Sequence, residues 1–411
     1  MSANGSPASS PSDVEDIEAY RAAARAWLAE NAPRFTNRKG LTDVEDLALG
    51  RAYQKLKSEA GYAAITQPRR FGGGGGTQLQ KVVFALEESA YDLPTNYFAI
   101  SLGQPIPIMV EYATEEQNAR LAPPAIRGET IWCQLFSEPA AGSDLAALRL
   151  SARLEGDAWI LNGQKLWTSY AQYSDWAVVI ARHDPGLPKH AGLTYFFLDM
   201  RSPGVEVRPV KLLSGGSHVN EVFFDNVRVP DSQRLGAIGD GFKIAIHTLM
   251  IERYSVTDLW GSGPNVRQMV EGLRGHHVNG RPALDDPAVR EAMTDAIVNN
   301  RALTEINRRA YLAMAAGKQP GPEGSITKLL TAAGRLRLSR ALMNAQGPGA
   351  LELKAGGDPR TDFTLGWLSA PPSRVAGGTD QILRNTIAEK ILGLPQDYRP
   401  DKGVPFNKIP T

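Results

Sequence analysis

The spacing of apolar residues changes twice along this chain of 411 residues, and those two changes restrict its fold more than its composition does. From Ser12 to about residue 129 apolar residues recur at helical intervals, as in Ile17, Tyr20, Ala24, Trp27 and Leu28. Ser12-Asp13-Val14-Glu15 and Thr42-Asp43-Val44-Glu45 read as capping boxes that open helices, and further helices are predicted over 78–91 and 114–127. From Ile131 to Val229 the period shortens. Leu148, Leu150, Ala152 and Leu154 alternate, Glu155-Gly156-Asp157 makes a turn, Trp159 to Leu161 returns, and Asn162-Gly163 turns again. Runs such as DWAVVIAR, LTYFFLDM and NEVFFDNVRVP are rich in the residues that pack well on a pleated sheet. After the loop GAIGDGF at 236–242 helical spacing resumes, with long helices predicted over 243–259, 265–273, 286–316, 324–346 and 379–392. A multidomain α+β protein is the result. Its parts are a disordered tail at 1–11, an N-terminal helical domain at 12–129, a middle β-barrel-like domain at 130–236, a C-terminal helical domain at 237–395 and an extended surface tail at 396–411.

The run FGGGGG at 71–76 invites comparison with a phosphate cradle, but no Rossmann-type strand precedes it and no Gly-Lys-Ser/Thr closes it, so a flexible turn is expected. A chain this long buries a large core without a metal or disulfide staple. The single cysteine, Cys133 in IWCQLF, excludes an intrachain disulfide, fits a reducing compartment and reads as a small buried apolar residue. The formal net charge of +1 comes from acids and bases mixed evenly, with no basic block of the kind that neutralises a nucleic acid backbone. No apolar run has the length of a membrane span, and MSANGSPASSPSD lacks the basic and apolar regions of a signal peptide. A cytoplasmic protein with no nucleic acid partner is the expectation.

The stretch from Gln134 to Ser169 has few groups able to do acid or base chemistry, yet it is dense in small residues and hydroxyls. Pro139, Ala140, Ala141 and Gly142 let the backbone approach a planar or phosphorylated ligand closely. Ser137, Ser143, Thr168 and Ser169 add hydroxyls, and Trp167 offers a flat apolar face. Composition alone leaves a binding loop and an ordinary turn both open.

The two ends of this stretch, SEPAAGSD and NGQKLWTS, match in order and separation the flavin-binding middle domain of acyl-CoA dehydrogenases, and the chain resembles that family. The resemblance extends to GGTDQILRN at 377–385 and LGLP at 392–395. It implies FAD as cofactor, oxidation of an acyl-CoA thioester to the trans-2-enoyl-CoA, transfer of electrons to an electron-transferring flavoprotein, and a C-terminal four-helix bundle that makes dimer and tetramer contacts. In the family a carboxylate removes the α-proton as the β-hydrogen leaves as hydride to flavin N5. That base precedes Gly-Thr in the C-terminal segment or stands on a helix of the C-terminal domain, as in isovaleryl-CoA dehydrogenase. Here the first place is Gly377, which has no carboxylate; the second is Glu252 in LMIERYS. Glu252 is thus the implied base, and Arg253 the arginine that helps hold CoA. The resemblance further implies that Gln134, Phe136 and Ser137 line the isoalloxazine edge, that Gly142 and Ser143 approach the pyrophosphate or the substrate arm, and that Trp167 and Thr168 pack by the ring with Ser169 near N5. Thr379 and Gln381 would reach the phosphates or adenosine, and Gly378 and Arg384 the substrate. Gln346 and Gly349 would belong to the neighbouring subunit's half of the cofactor site.

Two departures concern that shared half. His276 stands where many relatives have arginine, and Gln346-Gly347-Pro348-Gly349-Ala350 replaces Q-x-x-G-G. A weakly charged imidazole is a poor substitute for an always-cationic diphosphate donor. A homodimer or homotetramer therefore competes with a heterotetramer in which a paralogous subunit completes the FAD site, as in bacterial members acting on steroid side chains, whose late Pro-Phe resembles Pro405-Phe406. An oxygen-using oxidase or monooxygenase on the same fold is a further alternative. Short branched, long and sterol-like acyl groups all fit the sequence.

Overall fold

The computed structural model describes Pro11 and residues 16–260, 266–316, 321–352 and 363–409, with backbone alone for 252–260, 266–269, 311, 314 and 315. It divides into two compact units. The first runs to Val210 and includes His218–Ile251 and the chain from Pro400; the second comprises Lys211–Ser217 and Glu252–Arg399.

The first unit opens with helices α1 (Ile17–Asn31), α2 (Asp43–Glu59), α3 (Gln78–Glu88), α4 (Asn96–Gly103), α5 (Pro105–Tyr112) and α6 (Glu115–Ile126). At Thr42 the predicted capping box is present: the threonine side chain accepts from the Glu45 amide while the Glu45 carboxylate takes the Thr42 amide at 2.8 Å. Thr77 with Gln80 and Thr114 with Gln117 repeat the device at α3 and α6. The start predicted at Ser12 to Glu15 lies outside the described residues; α1 is capped by Asp16, which accepts from the Glu18 amide. The sequence pattern does not reveal α4 and α5, because NYFAISLG and PIPIMVEY are apolar nearly all round and carry no helical stripe to read. The glycine run is a turn, as expected, but not a loose one. The amides of Gly73, Gly74, Gly75 and Gly76 are bonded to the carbonyls of Pro68, Ala64, Gln67 and Ile65, which leaves none for a phosphate.

Strands β1 (Trp132–Leu135), β2 (Ser151–Glu155), β3 (Ala158–Ser169), β4 (Trp176–Arg182), β5 (Leu193–Asp199), β6 (Val205–Val210), β7 (Val219–Pro230) and β8 (Arg234–Leu235) form one sheet. Its order is β6-β7-β3-β2-β4-β5-β8, with β1 pairing parallel to β4. Val178 and Ile180 join a core with α5 and α6, whereas Ala177, Val179 and Ala181 join a second core on the other face. Burial of both faces explains why β4 reads as a continuous apolar run. The turn at Gly156-Asp157 is as predicted, with Gly156 left-handed at φ 62°. Asn162-Gly163 is a correction: β3 runs straight through it, and the pair marks a register shift against β7. Gly163 at φ 138° accommodates a bulge, which uses the same glycine freedom as a turn without reversing the chain.

Helix α7 (Gly241–Trp260) comes after the sheet. Its first turns pack on the first core through Ile244 and Ala245, and Thr248 Oγ1 lies 3.1 Å from Tyr195 Oη. Gly241 permits this approach. A Cβ there would sit 2.5 Å from the Thr194 backbone nitrogen, so Gly241→Ala is expected to cost about 1–3 kcal/mol, read as a lowered urea midpoint. An unchanged midpoint would mean that α7 is free to retreat from β5.

The second unit holds the remainder of α7, then α8 (Val266–Leu273), a hairpin of β9 (His277–Val278) and β10 (Arg281–Pro282), α9 (Pro287–Ala315), α10 (Gly324–Ala345), α11 (Phe363–Leu368) and α12 (Asp380–Thr386). Asn279 and Gly280, both left-handed, form the two-residue turn of the hairpin. Leu273, Met293, Leu342 and Phe363 are part of its core. The helix predicted over 379–392 is α12 followed by a π-helical turn at Ile387–Ile391. Beyond it the chain is not wholly an extended surface tail, because from Pro400 it belongs to the first unit and pairs with residues 185–188. No described helix is long and apolar enough to cross a membrane.

Candidate active site

The two motif segments meet after β1. Pro139-Ala140 reverses the chain, so that Glu138 and Ala141 bond each other in both directions at 2.9 and 3.1 Å. The buried Glu138 carboxylate then accepts from the amides of Arg149 (2.6 Å) and Leu150 (2.9 Å) and from Lys165 Nζ (2.8 Å). Lys165, fully buried on β3, also donates to the Phe136 carbonyl at 2.9 Å, and the Leu166 amide donates to the Ser137 carbonyl at 2.8 Å. A buried ion pair thus clips SEPAAGSD to NGQKLWTS. Burial lowers the Lys165 ammonium to about 8 against the pull of Glu138. Neither residue is among the site candidates read from the sequence. The available signal is an acid in SEPAAGSD and the one base of NGQKLWTS, each placed next to small or uncharged residues.

Beyond the clip β3 changes its alignment. The register against β7 shifts between Lys165 and Thr168, and Trp167 takes a left-handed backbone at φ 64°. A non-glycine residue there costs about 1–3 kcal/mol, a strain that collects at functional sites. The shift turns the Trp167 indole outward, 58% exposed, and Thr168 inward. Thr168 Oγ1 is buried with no hydrogen-bond partner among the described residues, although the Thr168 carbonyl accepts from Asn220 Nδ2 at 3.0 Å. Gln134 Oε1, on β1, is likewise buried with no partner among the described residues. Each such atom costs about 1–3 kcal/mol unless something else meets it. Phe136 is held edge-on to Tyr195, with ring centroids 5.8 Å apart. Ser169, half-buried, closes β3 opposite Val219.

At Gly142 a Cβ would meet no atom within 4 Å, and its backbone is not left-handed. Nothing in the described residues demands glycine there, whereas a ligand lying against the backbone would. Ser143 and Asp144 continue the same exposed turn. An acceptor carbonyl, a buried hydroxyl, an exposed indole and an open backbone fit the hydrogen-bonding edge and flat face of a flavin.

The remaining candidates lie in the second unit. Thr379 caps α12, accepting from the Ile382 amide at 3.3 Å. Gly377 and Gly378 before it are left-handed, at φ 67° and 95°, and the Gly378 carbonyl accepts from Lys328 Nζ at 2.6 Å. Gln381 and Arg384 are exposed on α12. Gln346 caps the end of α10 and accepts from Thr364 Oγ1 at 3.2 Å, while Gly349 is exposed. The His276 ring packs against Phe363, centroids 6.2 Å apart. Glu252 and Arg253 fall on α7, and their side chains lie outside the described residues.

Helical segments precede and follow a sheet that carries a clipped, ligand-open loop. The family models for the N-terminal, middle and C-terminal domains of acyl-CoA dehydrogenase match residues 14–129, 133–227 and 239–392. Acyl-CoA dehydrogenase IpdE1 of Mycobacterium tuberculosis is 35% identical over 397 residues, covering 94% of this chain and 100% of that protein. Two solved structures share the fold at 24% identity and TM-score 0.76. They are a steroid ACAD, Tcur3481-Tcur3483 (92% of this chain, 98% of that one), and the ChsE4-ChsE5 complex from Mycobacterium tuberculosis (93% and 99%). The chain belongs to the acyl-CoA dehydrogenase family, a class of oxidoreductases acting on CH–CH groups.

Proposed function

We propose that this enzyme binds FAD and oxidises an acyl-CoA thioester to the trans-2-enoyl-CoA, with Glu252 as the base that takes the α-proton. The observation that carries the reading is a pair of buried polar atoms, on Gln134 and Thr168, with no partner among the described residues, together with the exposed, strained Trp167. Gln134, Phe136, Ser137, Trp167, Thr168 and Ser169 would hold the ring, Gly142 and Ser143 the pyrophosphate or the CoA arm, and Thr379 and Gln381 the adenosine end. FAD, when bound, supplies the acceptor for the β-hydrogen and its electron pair. Two facts favour Glu252. Position 252 lies four residues beyond buried Thr248 on one helix, and Gly377, the alternative place, is left-handed, where a glutamate would be strained. Arg253 would neutralise CoA phosphate, Gly378 and Arg384 would face the substrate, and electrons would leave to an electron-transferring flavoprotein in the cytoplasm.

A second reading concerns assembly. His276 is packed on Phe363, a poor arrangement for gripping a diphosphate across an interface, and the fold matches two structures named for unlike pairs, Tcur3481-Tcur3483 and ChsE4-ChsE5. On that reading a paralogous subunit supplies the missing half-site that Gln346 and Gly349 form in homomeric relatives, and the acyl group is of the steroid side-chain type. The absorbance spectrum of the purified chain separates the two. Near one flavin per protomer, bleached by acyl-CoA, supports a homomer. A sub-stoichiometric flavin that fills when a paralogous subunit is added supports the pair. No flavin in either preparation would sink both.

A further inference from the structure

Arg182, the last residue of β4, is a buried cation with an unusual set of neighbours. Its Nε donates to the Leu148 carbonyl at 3.0 Å, Nη2 to Ala146 at 2.6 Å and Nη1 to Lys189 at 3.2 Å. It is 4% exposed, and among the described residues no carboxylate lies within ion-pair distance of it. Its flat face is covered instead by Phe406, from the far end of the chain, with the ring centroid 3.6 Å from the guanidinium carbon. A cation stripped of water, on which the carboxylates of Glu138 and Asp144 act only from beyond ion-pair distance, depends strongly on such a face. Burial accordingly lowers the Arg182 guanidinium to about 10.

Phe406 is held where it is by a short backbone ladder. Its amide donates to the Leu187 carbonyl and the Asn407 amide to the Pro185 carbonyl, both at 2.9 Å, and Pro405 bridges Pro188. A second contact runs parallel to the first. Lys189 Nζ donates to Asp144 at 2.8 Å and also pairs with Asp401. Two of the three carbonyls that Arg182 holds, Ala146 and Leu148, and one carboxylate that Lys189 holds, Asp144, lie on one short piece of chain, 144–148, directly after Gly142-Ser143. The Glu138–Lys165 pair does not account for these contacts, which grip the other end of the same turn.

We infer that residues 400–409 form a strap that positions the Gly142-Ser143-Asp144 turn for its ligand, with Phe406 acting through Arg182 and Asp401 through Lys189. This rests on the proposed function, in which the turn contacts the cofactor or CoA arm. Phe406 and Arg182 are positioning residues and touch no reacting atom.

Hydrogen exchange on the full chain, stripped of flavin and then reloaded with FAD, tests the strap. In Phe406→Leu the amides of 142–148 should exchange about 3- to 30-fold faster, the range that loss of a desolvated cation–π contact gives. Those of β5 should stay at the wild-type rate, and FAD affinity should fall by a similar factor. Phe406→Tyr, which keeps the aromatic face, should restore both, as a merely space-filling role would not require. Wild-type exchange at 142–148 in Phe406→Leu overturns the strap whatever FAD does. Faster exchange there, with no slowing of the same amides by FAD in the wild type, would instead remove the turn from the site and with it the strap's role in binding.

Discussion

Replacing Glu252 by glutamine should lower turnover of acyl-CoA by about 10²–10⁴-fold, the usual contribution of a positioned general base, with flavin content unchanged. Glutamine keeps the shape and a hydrogen-bonding carbonyl but cannot accept the α-proton. The loss should therefore appear in the bleaching of flavin absorbance on mixing with substrate, while substrate affinity stays within a few-fold. The size of the effect reflects the lack of a substitute, since Gly377 offers no carboxylate and its left-handed backbone disfavours one. Bleaching at the wild-type rate in Glu252→Gln would move the base elsewhere.

The second large effect is structural and reaches the site indirectly. Lys165→Met leaves the Glu138 carboxylate buried without its counter-charge and the Phe136 carbonyl without its donor. Breaking one side of a buried pair costs about 3–5 kcal/mol, because the remaining charge is still out of water. The urea midpoint should fall accordingly, and loosening of the Phe136-Ser137 segment should reduce flavin retention. Adding Glu138→Gln should recover part of the loss, since the uncompensated charge is then gone while the contacts to the Arg149 and Leu150 amides can persist in part. A single-variant cost below about 1 kcal/mol would mean that the pair does not clip the motif.

The sequence is most informative where local chemistry suffices. The capping box at Thr42, the helix from Thr114, the long helices α9 and α10, the Gly156-Asp157 turn and strand β4 can all be read, since each depends on a few adjacent residues or on a sustained period. Failures come where two structures use the same local signal. Asn162-Gly163 reads as a reversal but is a bulge, because pairing along the rest of β3 with β7 outweighs the turn preference. Helices α4 and α5, buried nearly all round, have no polar face to betray their period.

At the site the division is sharper. The motifs locate the loop and its flat, hydroxyl-rich character, since residue types alone state what a segment can offer a ligand. That Glu138 and Lys165 hold the loop rather than act in it depends on their burial against each other, 27 residues apart in sequence. That Gln134 Oε1 and Thr168 Oγ1 meet no partner among the described residues shows only in the folded arrangement. Phe406 on Arg182 is the extreme case. The two are separated by more than half of the chain, and no spacing rule links them; only the folded path of residues 400–409 across 185–189 brings an aromatic face onto a buried cation. Local residues fix what each segment can become, and long-range packing assigns partners, because the energy of burying a charge depends on what else has been brought to the same place.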